Sequence, residues 1–403
     1  MMKSEICIVG GGLVGLTAAL AFSSQGRRVS LLEAHDFQLV TPAQMDARSI
    51  ALSWSSVQIL SALDLWPGLR DKTAPIHHIH VSSAGHFGVT RLHAQDLQQD
   101  AMGHVIEYHV LMQYLLEAVK NNAAIEMLTP ARLLSLKQGD NKVSIHYRQG
   151  DTEQELETDL LVVADGANSK IREMLAIAAI TEDYEQTAII ANVKITLPFN
   201  GYAYERFTSD GPLALLPLPD QRYAMVWTNA ADRAEQLMQL PDAQFLHEIY
   251  RIFGYRLGYF SGVGSRVKFD LKRTRSSRLT ANCSVLIGNA ANTLHPVAGQ
   301  GFNLALRDVA LLYDELAGEF PGSSGLPRVL EAYAAKREQD QQRTVQLGDG
   351  LVKLFSNDLP LINHARAGAL ALLDVCPLLK QEVSWQGMGY GSGFSSLMRG
   401  VRQ

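Results

Sequence analysis

The N-terminal part of the chain alternates short apolar runs with amphipathic segments, a pattern typical of parallel strands joined by helices. The run ICIV at 6–9 is apolar at every position, as expected for a strand covered on both faces. The pattern predicts a strand over Glu5–Val9, a helix over Val14–Ser24 and a second strand over Val29–Glu33. A glycine-rich turn joins the first strand to the helix, so the chain is expected to begin as an α/β unit.

The middle of the chain has a different pattern. Residues 46–66 read as a loop and an amphipathic helix, 76–93 as strands around a glycine turn, and 105–122 as a helix. From about 185 to 272, β-rich segments follow one another without the earlier strand–helix alternation, which predicts a separate sheet. A strand, loop and helix resume at SVLIGNAAN, and the chain becomes helical from about 330.

These patterns predict an α/β fold in which a Rossmann-like nucleotide-binding domain is interrupted by a β-sheet substrate domain and followed by a helical segment. The expected boundaries are 1–75, 94–184 and 273–345 for the nucleotide-binding domain, 76–93 and 185–272 for the substrate-binding sheet, and 346–403 for the C-terminal helices.

Composition narrows the class of protein. The 403 residues carry a formal net charge of −5 and no basic run, which argues against nucleic acid as the main partner. The three cysteines are too scattered for a disulfide framework and favour a reducing cytosol. The first residues leave no room for a signal peptide, and no apolar run approaches the roughly 18 residues that span a bilayer. We therefore expect a cytoplasmic protein that at most touches a membrane from one side.

Gly10, Gly12 and Gly15 form a G-x-G-x-x-G turn between the first strand and the first helix. Such a turn lets the backbone approach a pyrophosphate, which then faces the N-terminus of the helix. Glu33 ends the next strand, where a carboxylate can accept hydrogen bonds from the hydroxyls of an adenosine ribose. An acid at this position favours NAD or FAD over a phosphorylated ribose, and these four residues do not separate the two.

Two further motifs, ADGANSKIR at 164–172 and GNAANTLHPVAGQGFN at 288–303, follow in order. Together with the glycine turn they resemble the three fingerprints of the class A flavin aromatic hydroxylases, which share the para-hydroxybenzoate hydroxylase-like fold. The resemblance covers nearly the whole chain. It is strongest to the ubiquinone-biosynthesis hydroxylases, in DARSIALS (46–53), YERFTSDGPLALLPL (204–218) and the segment 288–308. The resemblance implies that the nucleotide is FAD.

The second motif and its surroundings imply further cofactor contacts. Asp165 and Gly166 match a family motif that is associated with both FAD and NAD(P)H, and Arg172 is the last residue of that motif. Arg48 matches an arginine near the pyrophosphate. The resemblance also implies that the start of a helix near 108–113 contacts the flavin, and Tyr108, His109 and Gln113 remain alternatives for that contact.

The third motif supplies the polar, uncharged loop that the resemblance places against the flavin. Gly288 and Asn289 stand where the family usually has Gly-Asp, and Asn keeps an acceptor oxygen for a ribityl hydroxyl. The helix that follows can direct backbone N–H groups at the N1–C2=O edge of the ring. The implied residues of the loop are Gly288, Asn289, Pro296, Gly299, Gly301, Phe302 and Asn303, of which Pro296 and Gly299 are the candidates nearest the reacting ring.

The resemblance implies a monooxygenase that uses FAD, with NAD(P)H as co-substrate, and O2. It would hydroxylate the ring of a polyprenyl phenol such as 2-polyprenyl-6-methoxyphenol through a C4a-hydroperoxyflavin. The hydrophobic substrate implies contact with the membrane surface and with other ubiquinone-biosynthesis proteins. No metal is implied, and the histidines at 77–93 lack a carboxylate or cysteine at ligand spacing.

Alternatives of other kinds remain open. A flavin-dependent halogenase would need a W-x-W-x-I-P motif, whereas Trp227 stands alone in MVWTNA. A prenyl reductase would share the FAD motifs without needing oxygen, and a flavin-bound scaffold would bind FAD without turnover. Tyr204, Tyr223 and Trp227 are plausible pocket aromatics, although aromatic residues in strands are usually core.

Overall fold

The computed structural model describes residues 2–37, 48–85, 89–293, 300–317, 325–340, 374, 376–390 and 395–402. The strands are β1 (Met2–Val9), β2 (Val29–Leu32), β3 (Ser49–Ser53), β4 (Ala74–Ile76), β5 (His78–Ser83), β6 (Val89–His93), β7 (Gly103–Glu107), β8 (Ile125–Leu128), β9 (Ala131–Gln138), β10 (Val143–Gln149), β11 (Thr152–Val163), β12 (Ala179–Ile195), β13 (Tyr202–Phe207), β14 (Pro212–Leu218), β15 (Arg222–Ala230), β16 (Phe260–Val263), β17 (Val267–Ser276), β18 (Thr280–Ala281), β19 (Ser284–Leu286) and β20 (Asn292–Thr293). The helices are α1 (Leu13–Ser24), α2 (Trp54–Ala62), α3 (Trp66–Leu69), α4 (Tyr108–Lys120), α5 (Lys170–Met174), α6 (Ala231–Gln239), α7 (Asp242–Phe253), α8 (Gln300–Glu315), α9 (325–340) and α10 (Pro377–Gly387).

The first sheet is built around β1 and is largely parallel. Its strands run in the order β18-β19-β11-β1-β2-β8, and β10 and β9 extend it from β11. β1 pairs in parallel with both β11 and β2, and Ile6, Cys7 and Ile8 are fully buried between the covering layers. Leu16 of α1 and Leu306 of α8 belong to the same apolar core. The parallel strands therefore end together beside the N-terminus of α1.

The second sheet is mostly antiparallel, and helices pack on one of its faces. Its order is β20-β17-β12-β15-β14-β13-β5-β6, with β16 beside β12, and only β13 and β5 pair in parallel. Met225 and Trp227 pack against Phe245 and Ile249 of α7. The strand-rich pattern at 185–272 did not lead us to expect α6 and α7, whose apolar residues recur at helical spacing and bury one face of the sheet.

A small sheet, β3-β7-β4, lies between the two large ones. Ile76 and Val105 of this sheet share an apolar cluster with Leu216 and Ala224 of the second sheet, and Met388 joins it from the end of α10. Two predictions are therefore partly wrong. The loop predicted at the start of 46–66 contains β3, and the first residues of the helix predicted at 105–122 belong to β7. Residues 49–53 and 103–107 pair as strands because each supplies the other's hydrogen bonds, a contact between distant segments.

The C-terminal part is helical where the structure describes it. α9 and α10 are helices, whereas 341–373 and 391–394 lie outside the described residues, so the expected helical character of 346–403 is seen in part. Cys7 and Cys283 are buried free thiols. Among the described helices, none is long and apolar enough to cross a membrane.

His104 of β7 makes stability depend on pH. Its Nδ1 lies 2.9 Å from Thr73 Oγ1, and burial lowers the pKa of His104 to about 4 from 6.5, with His77 and Arg70 adding to the effect. The folded state thus binds this proton more weakly than the unfolded state, so stability is complete above pH 6.5 and is lost as pH falls. We expect this residue to remove about 2 kcal/mol of unfolding free energy between pH 7 and pH 5.

Urea unfolding of the wild type and of His104→Gln at the two pH values measures this share. Between pH 7 and pH 5, the free energy of unfolding of the variant should fall by about 2 kcal/mol less than that of the wild type. His247→Gln, a change at an exposed histidine of α7, is the matched control and should behave as the wild type. Equal pH dependence in His104→Gln and the wild type would contradict the assignment.

Candidate functional site

The glycine turn after β1 has the geometry that a phosphate-binding turn requires. Gly10 has φ +112°, and a Cβ built on it would lie 2.3 Å from the carbonyl oxygen of Ala164. A Cβ on Gly15 would lie 1.9 Å from the carbonyl oxygen of Gly10. Gly12 differs, since no protein atom lies within 4 Å of its Cβ position, and α1 begins directly after it without a side-chain cap. Gly10 and Gly15 are thus needed for packing, whereas Gly12 faces open space.

Glu33 follows β2 and its side chain is 14% exposed. One carboxylate oxygen accepts a hydrogen bond from the backbone N–H of Gly11 at 2.6 Å. The other accepts from the backbone N–H of His35 at 2.8 Å. Glu33 therefore fixes the glycine turn and still lines the cleft beside it, because each carboxylate oxygen can accept more than one hydrogen bond.

One cleft of about 490 Å³ brings most of the predicted residues together. It runs from the end of β2, past the glycine turn, to the N-terminus of α8. The predicted cofactor residues that line it are Gly10, Gly12, Glu33, Arg48, Asp165, Gly166, Asn289, Gly301 and Phe302. Those described but not lining it are Gly15, Arg172, Gly288 and Asn303. Pro296 and Gly299, the candidates nearest the reacting ring, lie outside the described residues.

Asp165 carries an unsatisfied carboxylate oxygen in this cleft. Its Oδ1 is buried without a hydrogen-bond partner among the described residues, whereas Oδ2 accepts from the backbone N–H of Ile171 at 3.4 Å. Burial raises the pKa of Asp165, against hydrogen bonds from Ser169 and Ile171 that lower it. A buried acceptor without a partner is costly, and a hydroxyl of a bound ligand would satisfy it.

Arg172 connects the second motif to the third and does not reach the cleft. It is 7% exposed, and its guanidinium donates to the carbonyl oxygens of Ala290 at 3.0 Å and Ala167 at 3.3 Å. These contacts hold the turn after β11 against the loop after β19. Arg172 therefore acts on the cleft through the backbone that it supports.

Gly288 and Asn289 have different surroundings. The N–H of Gly288 donates to Oδ2 of Asp308 in α8 at 2.7 Å, and this bond is buried. Asn289 is exposed and lines the cleft, so its side chain can meet a ligand. The family's usual acid at this position is absent, and Asp308 is the carboxylate that the structure places beside the loop.

Asn303 fastens the start of α8 to the turn between β3 and α2. Its Oδ1 accepts from Ser53 N at 2.9 Å and Ser56 Oγ at 2.7 Å, and its Nδ2 donates to Ala51 O at 2.8 Å. With its side chain 1% exposed and held by these three bonds, Asn303 orients the helix N-terminus. Gly301 and Phe302 are the residues of that terminus that line the cleft.

Arg48 and Tyr108 lie together on the cleft wall. The guanidinium carbon of Arg48 lies 4.3 Å from the ring centroid of Tyr108, and the N–H of Tyr108 donates to Arg48 O at 3.0 Å. Of the three alternatives at 108–113, Tyr108 lines the cleft and His109 and Gln113 do not. Sequence reasoning missed Ile50, Ala131 and Leu133 of the lining, since apolar strand residues give no signal that separates them from core.

The aromatic candidates of the second sheet are core residues. Tyr204, Tyr223 and Trp227 are 6%, 1% and 1% exposed and share an apolar cluster with α6 and α7, so of the two alternatives for these residues the structure supports the core. In the histidine segment, His78 Nδ1 lies 2.8 Å from His93 Nδ1. Within the described ranges, no group of three or more metal-ligating side chains comes together.

The cleft fits a dinucleotide. A helix N-terminus without a side-chain cap follows an open glycine, a carboxylate stands at the end of β2, and an unpaired buried oxygen lies between them and α8. The arrangement supplies backbone N–H groups for phosphates and acceptors for hydroxyls. A second helix N-terminus, at α8, adds positive potential at the far end of the cleft.

Comparison with known proteins gives a match to one family over most of the chain. A family model described as FAD binding domain matches residues 3–347. The ubiquinone hydroxylase UbiL of Rhodospirillum rubrum is 35% identical over 99% of this chain and 93% of its own length. The 3-demethoxyubiquinol 3-hydroxylase of Escherichia coli is 30% identical over 96% of this chain and 98% of its own length.

Solved structures share the fold at low sequence identity. The p-nitrophenol 4-monooxygenase PnpA from Pseudomonas putida has a TM-score of 0.80 at 15% identity, over 98% of this chain and 100% of the other. PqsL of Pseudomonas aeruginosa in complex with 2-aminobenzoylacetate has a TM-score of 0.78 at 20% identity, over 92% and 100%. These likenesses confirm the predicted α/β fold class.

Proposed function

This chain belongs to the FAD binding domain family, and we propose that it is a monooxygenase that hydroxylates the aromatic ring of a polyprenyl phenol in ubiquinone biosynthesis. Its cofactor is FAD, with NAD(P)H as electron donor and O2 as the oxygen source. The observation that carries the proposal is the single cleft in which residues of all three motifs meet. The near full-length likeness to ubiquinone hydroxylases supports the choice of substrate class.

The described residues would hold FAD along the cleft. Gly12 and the N-terminus of α1 face the space for a pyrophosphate, and Glu33 offers its carboxylate to a ribose. Asp165 and Asn289 offer acceptor oxygens to hydroxyls further along. When bound, FAD supplies the redox chemistry: it takes electrons from NAD(P)H and activates O2 for transfer to the ring.

The protein's part in the reaction is to orient the ring and to exclude water. The N-terminus of α8, held by Asn303, directs positive potential at the cleft, which favours negative charge on a nearby group without a basic side chain. The small sheet and the second sheet pack on each other through an apolar cluster, which keeps water out of that part of the interior. Product yield should therefore depend on how firmly the phenol is seated.

We further propose that the enzyme works in the cytoplasm at the membrane surface. A polyprenyl chain is apolar and partitions into lipid, so the enzyme must meet its substrate at that surface or receive it from another protein of the pathway. Contacts with other ubiquinone-biosynthesis proteins are part of this proposal. A substrate presented in detergent or vesicles should therefore be turned over faster than one added to buffer alone.

Mass analysis of product made under 18O2 tests the proposed reaction. FAD-loaded protein, NADPH and a short-chain 2-prenyl-6-methoxyphenol should yield a hydroxylated product with one labelled oxygen. The same mixture with 18O-labelled water and unlabelled O2 is the control and should give no label. A reduced prenyl chain without added oxygen would favour the reductase reading. FAD retention without phenol-stimulated NADPH oxidation would favour the scaffold reading.

A further inference from the structure

Glu205 of β13 carries a carboxylate that the described residues leave unpaired. The residue is half-buried on its strand, so part of its surface is open to a ligand. No hydrogen bond or ion pair reaches it in the described part of the chain, and burial alone raises the pKa of Glu205 to about 7. A half-buried acid without a partner can accept a hydrogen bond from a ligand, and an acid with a shifted pKa is a candidate for a binding site.

Glu205 points away from the helices of the second sheet. Tyr204, its neighbour, lies in the core that α7 covers, and successive side chains of a strand point to opposite faces. On the face of the sheet that carries Glu205, the residues paired with it across successive strands form an apolar row. Its members are Val81, Ala214, Val226, Ile190 and Val267.

This face of the sheet meets the FAD cleft. Phe269, two residues beyond Val267, lies on the same face, and its ring centroid is 5.9 Å from the guanidinium carbon of Arg48, a residue of the cleft wall. On the other side of Glu205, Ala203 joins the apolar cluster that connects the second sheet to the small sheet. Glu205 therefore stands on an apolar floor between the cleft wall and that cluster.

Charged groups of the neighbouring strands lie on the opposite face. His80 and Arg91 pair across β5 and β6, and the His80 ring is 5.6 Å from the Tyr204 ring. Arg206 donates to the carbonyl oxygen of Ile252 at 2.6 Å, on the side of α7. The direct neighbours of Glu205 are Val81 and Ala214, and Thr90 ends the row on β6, so among the described residues of its row Glu205 is the ionisable one.

We propose that Glu205 positions the phenol: its carboxylate accepts a hydrogen bond from the ring hydroxyl of the substrate, whose apolar ring lies on the row beside it. The inference rests on the proposed function and adds the residue that seats the ring. An apolar pocket with one acid matches the chemistry of a phenol, because the O–H donor meets a charged acceptor and the ring meets aliphatic carbon. Such a bond strengthens as the acid ionises.

A pair of variants and a pair of ligands test this assignment in the FAD-loaded enzyme. Glu205→Leu removes the acceptor, Glu205→Gln keeps an acceptor oxygen without the charge, and Glu155→Leu, at an exposed strand position, is the matched control. The ligands are a short-chain 2-prenyl-6-methoxyphenol and its O-methyl ether, which cannot donate. Their Kd is measured from the flavin absorbance change, and product per NADPH is measured in parallel.

We expect Glu205→Leu to weaken binding of the phenol roughly 10- to 100-fold and to lower product per NADPH, with Glu205→Gln between it and the wild type. The ether should bind the wild type and Glu205→Leu equally. Wild-type affinity for the phenol should rise between about pH 6 and pH 8 as Glu205 ionises, and Glu205→Gln should lose this dependence. Glu155→Leu should match the wild type throughout.

Two results would overturn the role of Glu205. One is a Glu205→Leu enzyme that loses the phenol and the ether alike, which indicates a change of pocket shape only. The other is an unchanged affinity and pH profile in Glu205→Gln, which decides the matter even if the leucine variant does not fold. Failure of the proposed function is separate, because the wild type would then form no labelled product from the phenol.

Discussion

Replacing Gly12 with alanine is expected to weaken FAD binding strongly while leaving the apoprotein folded. Gly12 has φ −72° and ψ 179°, a backbone conformation that alanine adopts, and its Cβ position meets no protein atom within 4 Å. The added methyl group would occupy the space in which the backbone must approach the pyrophosphate. We expect FAD affinity to fall roughly 100-fold or more, about 3 kcal/mol, in a fluorescence titration of the apoprotein.

Variants at two other glycines distinguish a loss of FAD affinity from a loss of stability. Gly15→Ala places a methyl group 1.9 Å from the carbonyl oxygen of Gly10, so this variant should lose stability and not only FAD affinity. Gly262→Ala, at a strand position where the Cβ also meets nothing within 4 Å, should change neither property. Urea unfolding of the apoproteins should therefore leave Gly12→Ala within about 0.5 kcal/mol of the wild type. If Gly12→Ala bound FAD as tightly as the wild type, the pyrophosphate would not lie against Gly12.

The glycine turn could be predicted from sequence because its parts are close together in the chain. Gly10, Gly12, Gly15 and Glu33 fall within one strand–helix–strand unit, so each role follows from local geometry. Asn303 could not be assigned in the same way. Its partners Ala51 and Ser53 lie about 250 residues away, and the residue that we expected to contact the flavin holds the start of α8 instead.

The second sheet shows the same limit. Its strands were expected from alternation, but α6 and α7 were not, and this omission left the two faces of the sheet undistinguished. Tyr204 and Glu205 are adjacent in sequence, and the strand pattern left open whether Tyr204 belongs to the pocket or to the core. Tyr204 is buried under α7, and Glu205, the next residue of the strand, lies on the opposite face of the sheet. Which face a strand buries depends on what packs on it, which the sequence of the strand alone does not contain.

Replacing Arg337 with methionine is expected to destabilise the fold more than any other single change considered for this chain. Arg337 of α9 is buried, with its side chain 2% exposed, and pairs with Asp308 of α8 and with Asp340. It also donates to the carbonyl oxygen of Leu304 at 3.0 Å. Removing it leaves two carboxylates in the interior with fewer partners, and breaking a buried pair from one side costs about 3–5 kcal/mol. Urea unfolding of the apoprotein measures the loss.

The same substitution reaches the FAD site, because Asp308 accepts the hydrogen bond from the N–H of Gly288. An aspartate released from Arg337 holds that loop less firmly, so FAD affinity should fall as well as stability. Lys336→Met is the matched control one residue away: Lys336 is 62% exposed in its ion pair with Glu315, and losing such a pair costs at most about 1 kcal/mol. If Arg337→Met cost no more than Lys336→Met, the buried ion cluster would not be what joins α9 to the cofactor domain.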